Sequence, residues 1–296
     1  MKTQQLGRAT PLSWRGLWRL CRLDKPVGIL LLLWPTLWAL IDASQGNVWS
    51  WPALALMLGV VLMRSAGCVI NDYADRHWDG DVERTKSRPL VTGEVSPQQA
   101  LILFITLCVC AFVLVLSLNQ LTIALSVVAA GLATIYPFTK RITQLPQMVL
   151  GLAFSWAIPM AYAAVLGTVP IQAWWLFAAN LCWTVAYDTQ YAMVDRDDDV
   201  KVGIKSTAIL FGQFDRLAIA ILQLLFLICL IVFAWITLAE PVLLFGLLLA
   251  AGMFVRQAKM IRQRERQQCF AAFRANNWVG FVVAAAMAAS VYWSQL

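Results

Sequence analysis

Residues 62–81 read "LMRSAGCVINDYADRHWDGD". The first nine of them close an apolar run that begins near residue 52, and Asn71, Asp72, Asp75, Asp79 and Asp81 follow at once. Charged side chains are only 13% of this chain, about half the roughly 25% usual in soluble domains. Hydrophobic residues make up 60%, with a mean hydropathy of +0.70. A carboxylate cluster at the end of such a run points to an integral membrane protein that keeps polar work at one membrane face.

Outward from that stretch, apolar blocks of spanning length, where about 17–25 residues suffice, fall near 26–42, 52–71, 98–118, 121–138, 145–166, 171–190, 217–238, 241–256 and 276–294. None alternates with period two, which excludes a membrane barrel. The expectation is an all-α integral membrane protein of nine transmembrane helices, forming a single domain over residues 1–296. Connections after the first, third, fifth and seventh blocks carry no Lys or Arg, whereas every even connection is basic. The positive-inside rule then puts the N-terminus and the acidic loops in the cytoplasm and the C-terminus outside. Residues 1–25 are basic and contain Trp14 and Trp18 but no apolar signal-peptide core. They read as a cytoplasmic interfacial segment.

The net charge of +7 therefore sits on one membrane face, which suits anionic lipid and argues against nucleic acid as a partner. The cysteines lie mostly within apolar blocks and lack zinc-ligand spacing, so they read as small buried hydrophobes. No obligate protein partner is indicated.

Eleven of the 16 Asp and Glu residues occupy two regions, "NDYADRHWDGDVERTKSRPL" with Glu94, and "YDTQYAMVDRDDDVKVGIKST". On a helix Asn71, Asp75 and Asp79 share a face, as do Asp188, Asp195 and Asp199. Each cluster is trailed by cations, Arg84, Lys86 and Arg88 in one and Lys201 and Lys205 in the other. Carboxylates at helix C-terminal ends are opposed by the macrodipole, by about 0.3–1 kcal/mol each. A hard divalent cation offsets that opposition, and Mg²⁺ characteristically combines one or two carboxylates with substrate phosphates. Two such clusters flanked by Arg and Lys suggest a diphosphate site. Set in an apolar bundle, it suggests cleavage of a prenyl diphosphate.

At these residues the chain resembles the UbiA superfamily of intramembrane aromatic prenyltransferases. "NDYADRHWD" resembles its N-D-x-x-D-x-x-x-D motif, "DRDDD" its D-x-x-x-D motif, and "YPFTKR" its Y-x-x-x-K motif at Tyr136 and Lys140. "RLDKPVGILLLLWPTLWAL" resembles the family's first helix, and "AYDTQYAMVDRDDDVKVGIKSTAILFG" is similar to the 4-hydroxybenzoate polyprenyltransferase branch. The resemblance implies nine helices around a central cavity, in the inner membrane of a bacterium. It also implies Mg²⁺-dependent transfer from a polyprenyl diphosphate to the 3-position of 4-hydroxybenzoate, a step of ubiquinone biosynthesis. By the same resemblance Asn71, Asp75, Asp79, Asp195 and Asp199 are the metal ligands, and the four aspartates are the catalytic set. Lys140, Arg141 and Lys205 are assigned to diphosphate binding, with Tyr136 and Tyr191 at the substrate. The base that takes the ring proton is an Asp or the diphosphate itself.

Arg64 is the one cation well inside an apolar block, seven residues before Asn71 and so on its face. An intramembrane charge is a functional hypothesis by default. Arg64 is assigned to either the benzoate carboxylate or the diphosphate. His77 lies off the Asn71 face and reads as a surface residue, while Asp72 and Asp188 are either partners of the ligands or helix-end polar groups. Tyr187 is a candidate for shaping the pocket. The competing class is a divalent-cation transporter; the absence of acidic residues near mid-block counts against it.

Overall fold

A computed structural model describes residues 12–80, 84–237 and 241–295, and the side chains of Lys140 and Val202 lie outside that description, as does the expected Asp81. Among the described residues all regular secondary structure of the chain is helical. It runs α1 (Trp14–Leu20), α2 (Val27–Ala43), α3 (Trp51–Asp75), α4 (Pro97–Leu116), α5 (Gln120–Ile142), α6 (Pro146–Ser155), α7 (Ala157–Leu166), α8 (Ile171–Val202), α9 (Thr207–Phe211), α10 (Asp215–Ile236), α11 (Pro241–Met260) and α12 (Arg266–Trp293). Seven helical stretches are long and apolar enough to cross a membrane: α3, α4, α5, α6 with α7, α9 with α10, α11 and α12. The apolar α2 is shorter, at 17 residues.

Local chemistry sets most boundaries. Ser96 caps α4 with a full capping box to Gln99, and Asn119 caps α5 through Thr122, each satisfying a backbone N–H that a helix start leaves open. Block five divides into α6 and α7 because Pro159 has no N–H to give the Ser155 carbonyl one turn back. Three blocks prove to be parts of longer helices. The second continues to Asp75, the sixth to Val202, and the ninth begins at Arg266 rather than near 276. The 32 residues of α8, at about 1.5 Å each, exceed the roughly 30 Å hydrocarbon thickness, and its carboxylates all lie in its second half.

The bundle centre is aromatic. Trp38 of α2 lies 5.2 Å from Trp183 of α8, and Trp183 lies 5.8 Å from Phe226 of α10. Helix association in lipid depends on close packing more than on apolar burial. Gly280 of α12 supplies it: a Cβ there would lie 2.3 Å from the Trp34 ring. Its carbonyl accepts a hydrogen bond from Trp38 Nε1 at 3.0 Å. Beside this core Gln190, Gln223, Gln257 and Asn276 form a buried amide network that joins α8, α10, α11 and α12. The cysteines are free; five are buried or partly buried in helices, whereas Cys110 is exposed on α4, because it faces outward one helical step from the cavity-lining Ala111.

Candidate active site

A cavity of about 720 Å³ runs into the bundle from the end where α3 and α8 stop. Its inner part is apolar, lined by Leu31, Leu56, Val60, Leu150, Phe154 and Met160. Its mouth carries Asn71, Asp75, Asp79, Asp188, Asp195 and Asp199, so the two acidic motifs border one chamber.

Helical spacing brings Asp188, Asp195 and Asp199 to the chamber, all within α8. It does not bring Asp79, which corrects the expectation of one helical face for Asn71, Asp75 and Asp79. Helix α3 ends at Asp75, and residues 76–80 form a turn in which the Asp79 N–H bonds to the Asp75 carbonyl at 3.0 Å. That turn delivers the carboxylate.

The loop after the turn supplies the counter-charges. Arg84 donates to Asp195, with Nη2 2.6 Å from Oδ2 and Nε 3.0 Å from both oxygens. Arg84 also stacks 4.8 Å above the Tyr191 ring. Arg88 Nη1 lies 2.6 Å from Asp79 and 3.0 Å from Asp72. Asp72 is buried and also accepts from Arg22, whose Nη2 lies 2.9 and 2.7 Å from its two carboxylate oxygens. Asp72 is therefore a partner in the ion lattice rather than a solvated helix end. Burial pushes the Asp79 carboxyl above its ordinary range, and the Arg88 guanidinium only partly offsets this.

Arg64 lies deeper, two helical turns from Asn71, in the cavity wall. Its guanidinium packs 5.3 Å from the Phe154 ring centre, and its Nε is buried with no hydrogen-bond acceptor. Gly28 makes room for it, since a Cβ there would sit 2.7 Å from Nη2. Tyr136, Tyr187, Tyr191 and Lys205 also line the chamber, and Lys205 Nζ donates to the Ile142 carbonyl at 3.3 Å. Arg141 is not in the lining. It is 3.8 Å from Asp75, stacks 4.1 Å over Trp78 and donates to the Ala74 carbonyl at 3.1 Å. His77 is exposed.

Among the described residues no three His, Cys, Asp or Glu side chains converge closely enough to hold a metal by themselves. The donors are instead spread around the mouth and are all oxygen: four carboxylates and the Asn71 amide. That set fits a hard cation that completes its shell with phosphate oxygens. Sequence reasoning passed over Arg22 as a partner to the motif. The only available signal was an Arg among the basic residues of "RLCRLDKP", just ahead of an apolar helix.

An apolar chamber inside a helical membrane bundle, with carboxylates and guanidiniums at its mouth, defines a membrane-embedded site for a ligand with an anionic head and an apolar tail. The chain belongs to the UbiA prenyltransferase family, whose model matches residues 32–291. It is 59% identical over 277 residues to a 4-hydroxybenzoate octaprenyltransferase of Tolumonas auensis, covering 92% of this chain and 96% of that one. A UbiA homologue from Aeropyrum pernix K1 superposes with a TM-score of 0.77 at 24% identity, over 90% of this chain and 98% of that one. A homologue from Archaeoglobus fulgidus, solved bound to GPP and Mg²⁺, superposes at 0.69 and 18% identity, over 94% and 99%.

Proposed function

We infer that this protein transfers a polyprenyl chain from polyprenyl diphosphate to the 3-position of 4-hydroxybenzoate, a reaction of ubiquinone biosynthesis. The observation that carries the reading is the chamber itself. Two acidic motifs from α3 and α8 stand with Arg84, Arg88 and Lys205 at the mouth of an apolar cavity. Relatives that share more than half their residues with this chain bear the name of that activity.

Asn71, Asp75, Asp79, Asp195 and Asp199 would hold Mg²⁺, which when bound neutralises charge on the departing diphosphate. Arg84, Arg88 and Lys205 bind the remaining diphosphate oxygens. The apolar wall excludes water from the allylic cation left behind, and the faces of Phe154 and Tyr187 stabilise it. Arg64, beyond the acidic mouth and with an unpartnered Nε, donates to the benzoate carboxylate and so points the ring carbon beside the hydroxyl toward the cation. On this reading the protein lies in a bacterial inner membrane with α2 and α8 spanning it beside the seven long apolar stretches, and the mean hydropathy and those seven stretches support a multi-pass membrane protein. The N-terminus and chamber mouth are then cytoplasmic, as the basic even connections support.

Purified protein in detergent, given geranyl or octaprenyl diphosphate, 4-hydroxybenzoate and Mg²⁺, is expected to yield the 3-prenylated acid. No product with any chain length, alongside metal flux in liposomes, would overturn the reading in favour of a transporter.

A further inference from the structure

Two of the five residues of "DRDDD" face the chamber, Asp195 and Asp199. The middle three point elsewhere. Arg196 donates to Asp215 at the start of α10 and, through the same Nη2, to the Ala208 carbonyl at 2.6 Å. Asp198 takes both forks of Arg266, at 2.8 and 3.2 Å, while Asp197 is largely exposed.

Asp215 is the hub of this outer side. It is fully buried and is not in the chamber lining, and Arg196 joins it to α8. Besides Arg196 it accepts from Arg264 Nη2 at 2.8 Å and Nε at 3.0 Å, and from the Arg216 backbone N–H at 2.6 Å. Arg264 in turn forms the turn between α11 and α12 with φ +56°, a left-handed conformation that a side chain such as Arg rarely adopts. Its guanidinium also donates to the Gln213 carbonyl at 3.0 Å. The start of α10 and the α11–α12 turn, which contribute no carboxylate to the mouth, thus meet at Asp215, and Arg196 ties that hub to the second acidic motif.

We propose that Asp215, with Arg196 and Arg264, is a positioning unit that fixes the rotation and axial position of the last turns of α8, and so aims Asp195 and Asp199 at the chamber. Arg196 follows Asp195 by one residue, about 100° around the helix. Anchoring it on the α10 side leaves Asp195 and Asp199 no other direction. A buried carboxylate between two guanidiniums is not needed for stability alone, since well-packed apolar residues of the same volume often serve as well. Its fit here is to orientation.

This inference rests on the metal–diphosphate reading of the chamber, and the experiment separates the two. Thermal unfolding of wild type, Asp215→Asn and Arg264→Gln is followed with and without Mg²⁺ plus geranyl thiolodiphosphate, an unreactive prenyl diphosphate analogue. Steady-state kinetics accompany it. The wild type is expected to show a ligand-dependent rise in Tm. Both variants are expected to need at least tenfold more Mg²⁺ for half-maximal rate and half-maximal Tm rise, as loss of outer partners of metal ligands commonly requires. Their KM for 4-hydroxybenzoate stays within twofold of wild type. If Asp215→Asn does not fold, Arg264→Gln, which alters a partly exposed partner, decides alone. An unchanged Mg²⁺ requirement overturns the proposal, as does a parallel rise of both the Mg²⁺ requirement and the 4-hydroxybenzoate KM. A wild type with no ligand-dependent Tm rise overturns the reading beneath it.

Discussion

Arg84 and Asp195, 111 residues apart in the chain, meet in a forked ion pair with Nη2 2.6 Å from Oδ2. The pair spans the chamber mouth, because Arg84 follows the α3 motif and Asp195 belongs to α8. Each acidic motif therefore meets guanidiniums from the loop after α3: Asp79 has Arg88 and Asp195 has Arg84. Carboxylates that face each other across an apolar cavity would repel strongly at low effective dielectric. The arginines let them share one rim, and the same guanidiniums carry the fork geometry that matches phosphate oxygens.

Arg84→Lys keeps the charge and loses the fork. Lys offers a point charge on a flexible stem, so the KM for prenyl diphosphate is expected to rise about tenfold, equivalent to roughly 1.4 kcal/mol. The KM for 4-hydroxybenzoate should hardly move. Equal KM values for prenyl diphosphate in the two proteins would remove Arg84 from diphosphate binding.

Asp75→Ala and Asp195→Ala are expected to abolish turnover while the protein still elutes as a folded species in detergent. One carboxylate comes from each motif, so each substitution tests a different half of the rim. Near-normal turnover in either variant would sink the assignment of that half.

The raised pKa of Asp79 gives a pH dependence of known sign. Its carboxyl is held above its ordinary range by burial, so the folded state binds its proton more tightly than the unfolded chain does. Stability from this group is present at low pH and is lost as pH rises through the folded value. Activity runs the other way, since only the carboxylate is a metal ligand. Turnover should fall on acidification at a pH above the usual aspartate value of about 3.9. Asp79→Asn should be inactive and should lose this group's share of the stability slope. An Asp79→Asn variant with a wild-type pH profile would refute the assignment.

Arg64 and Gly28 form a second testable pair. Arg64→Ala is expected to raise the KM for 4-hydroxybenzoate at least tenfold, with a smaller effect on prenyl diphosphate. Gly28→Ala puts a Cβ 2.7 Å from Nη2 and should displace the same guanidinium, giving a weaker version of the same selective effect. If Arg64→Ala leaves both KM values unchanged, the residue takes no part in substrate binding.

The bundle and its acidic motifs were legible because they are written locally. Apolar blocks, helical spacing in α8 and the trailing cations all fall within single windows of sequence. The pairings were not legible, because Arg22 with Asp72, Arg196 with Asp215 and Gln190 with Gln257 join residues 50, 19 and 67 positions apart. Nothing local marks Gln190, Gln223, Gln257 or Asn276 as partners inside otherwise apolar helices. Asp79 was misplaced for the opposite reason. A perfect i, i+4, i+8 spacing was read as one helix, although Gly80 and the polar residues around it favour a turn.

An apolar tail longer than the chamber is expected to leave it between α4 and α5. Phe112 of α4 lines the cavity and is 51% exposed on the outside. Ala130 and Thr134 of α5 also belong to both surfaces. The two helices are the least enclosed of the long spans, with 11% of each buried against 61% for α6 with α7. A tail of many isoprene units that enters at the acidic mouth would pass this gap into lipid at no cost in exposed apolar surface. Ala130→Trp fills the gap without touching the carboxylate rim. It is expected to lower kcat/KM for octaprenyl diphosphate at least tenfold while leaving that for geranyl diphosphate within twofold. Equal losses for the two donors would show that the tail leaves elsewhere, since only a chain long enough to reach the gap can sense the new side chain.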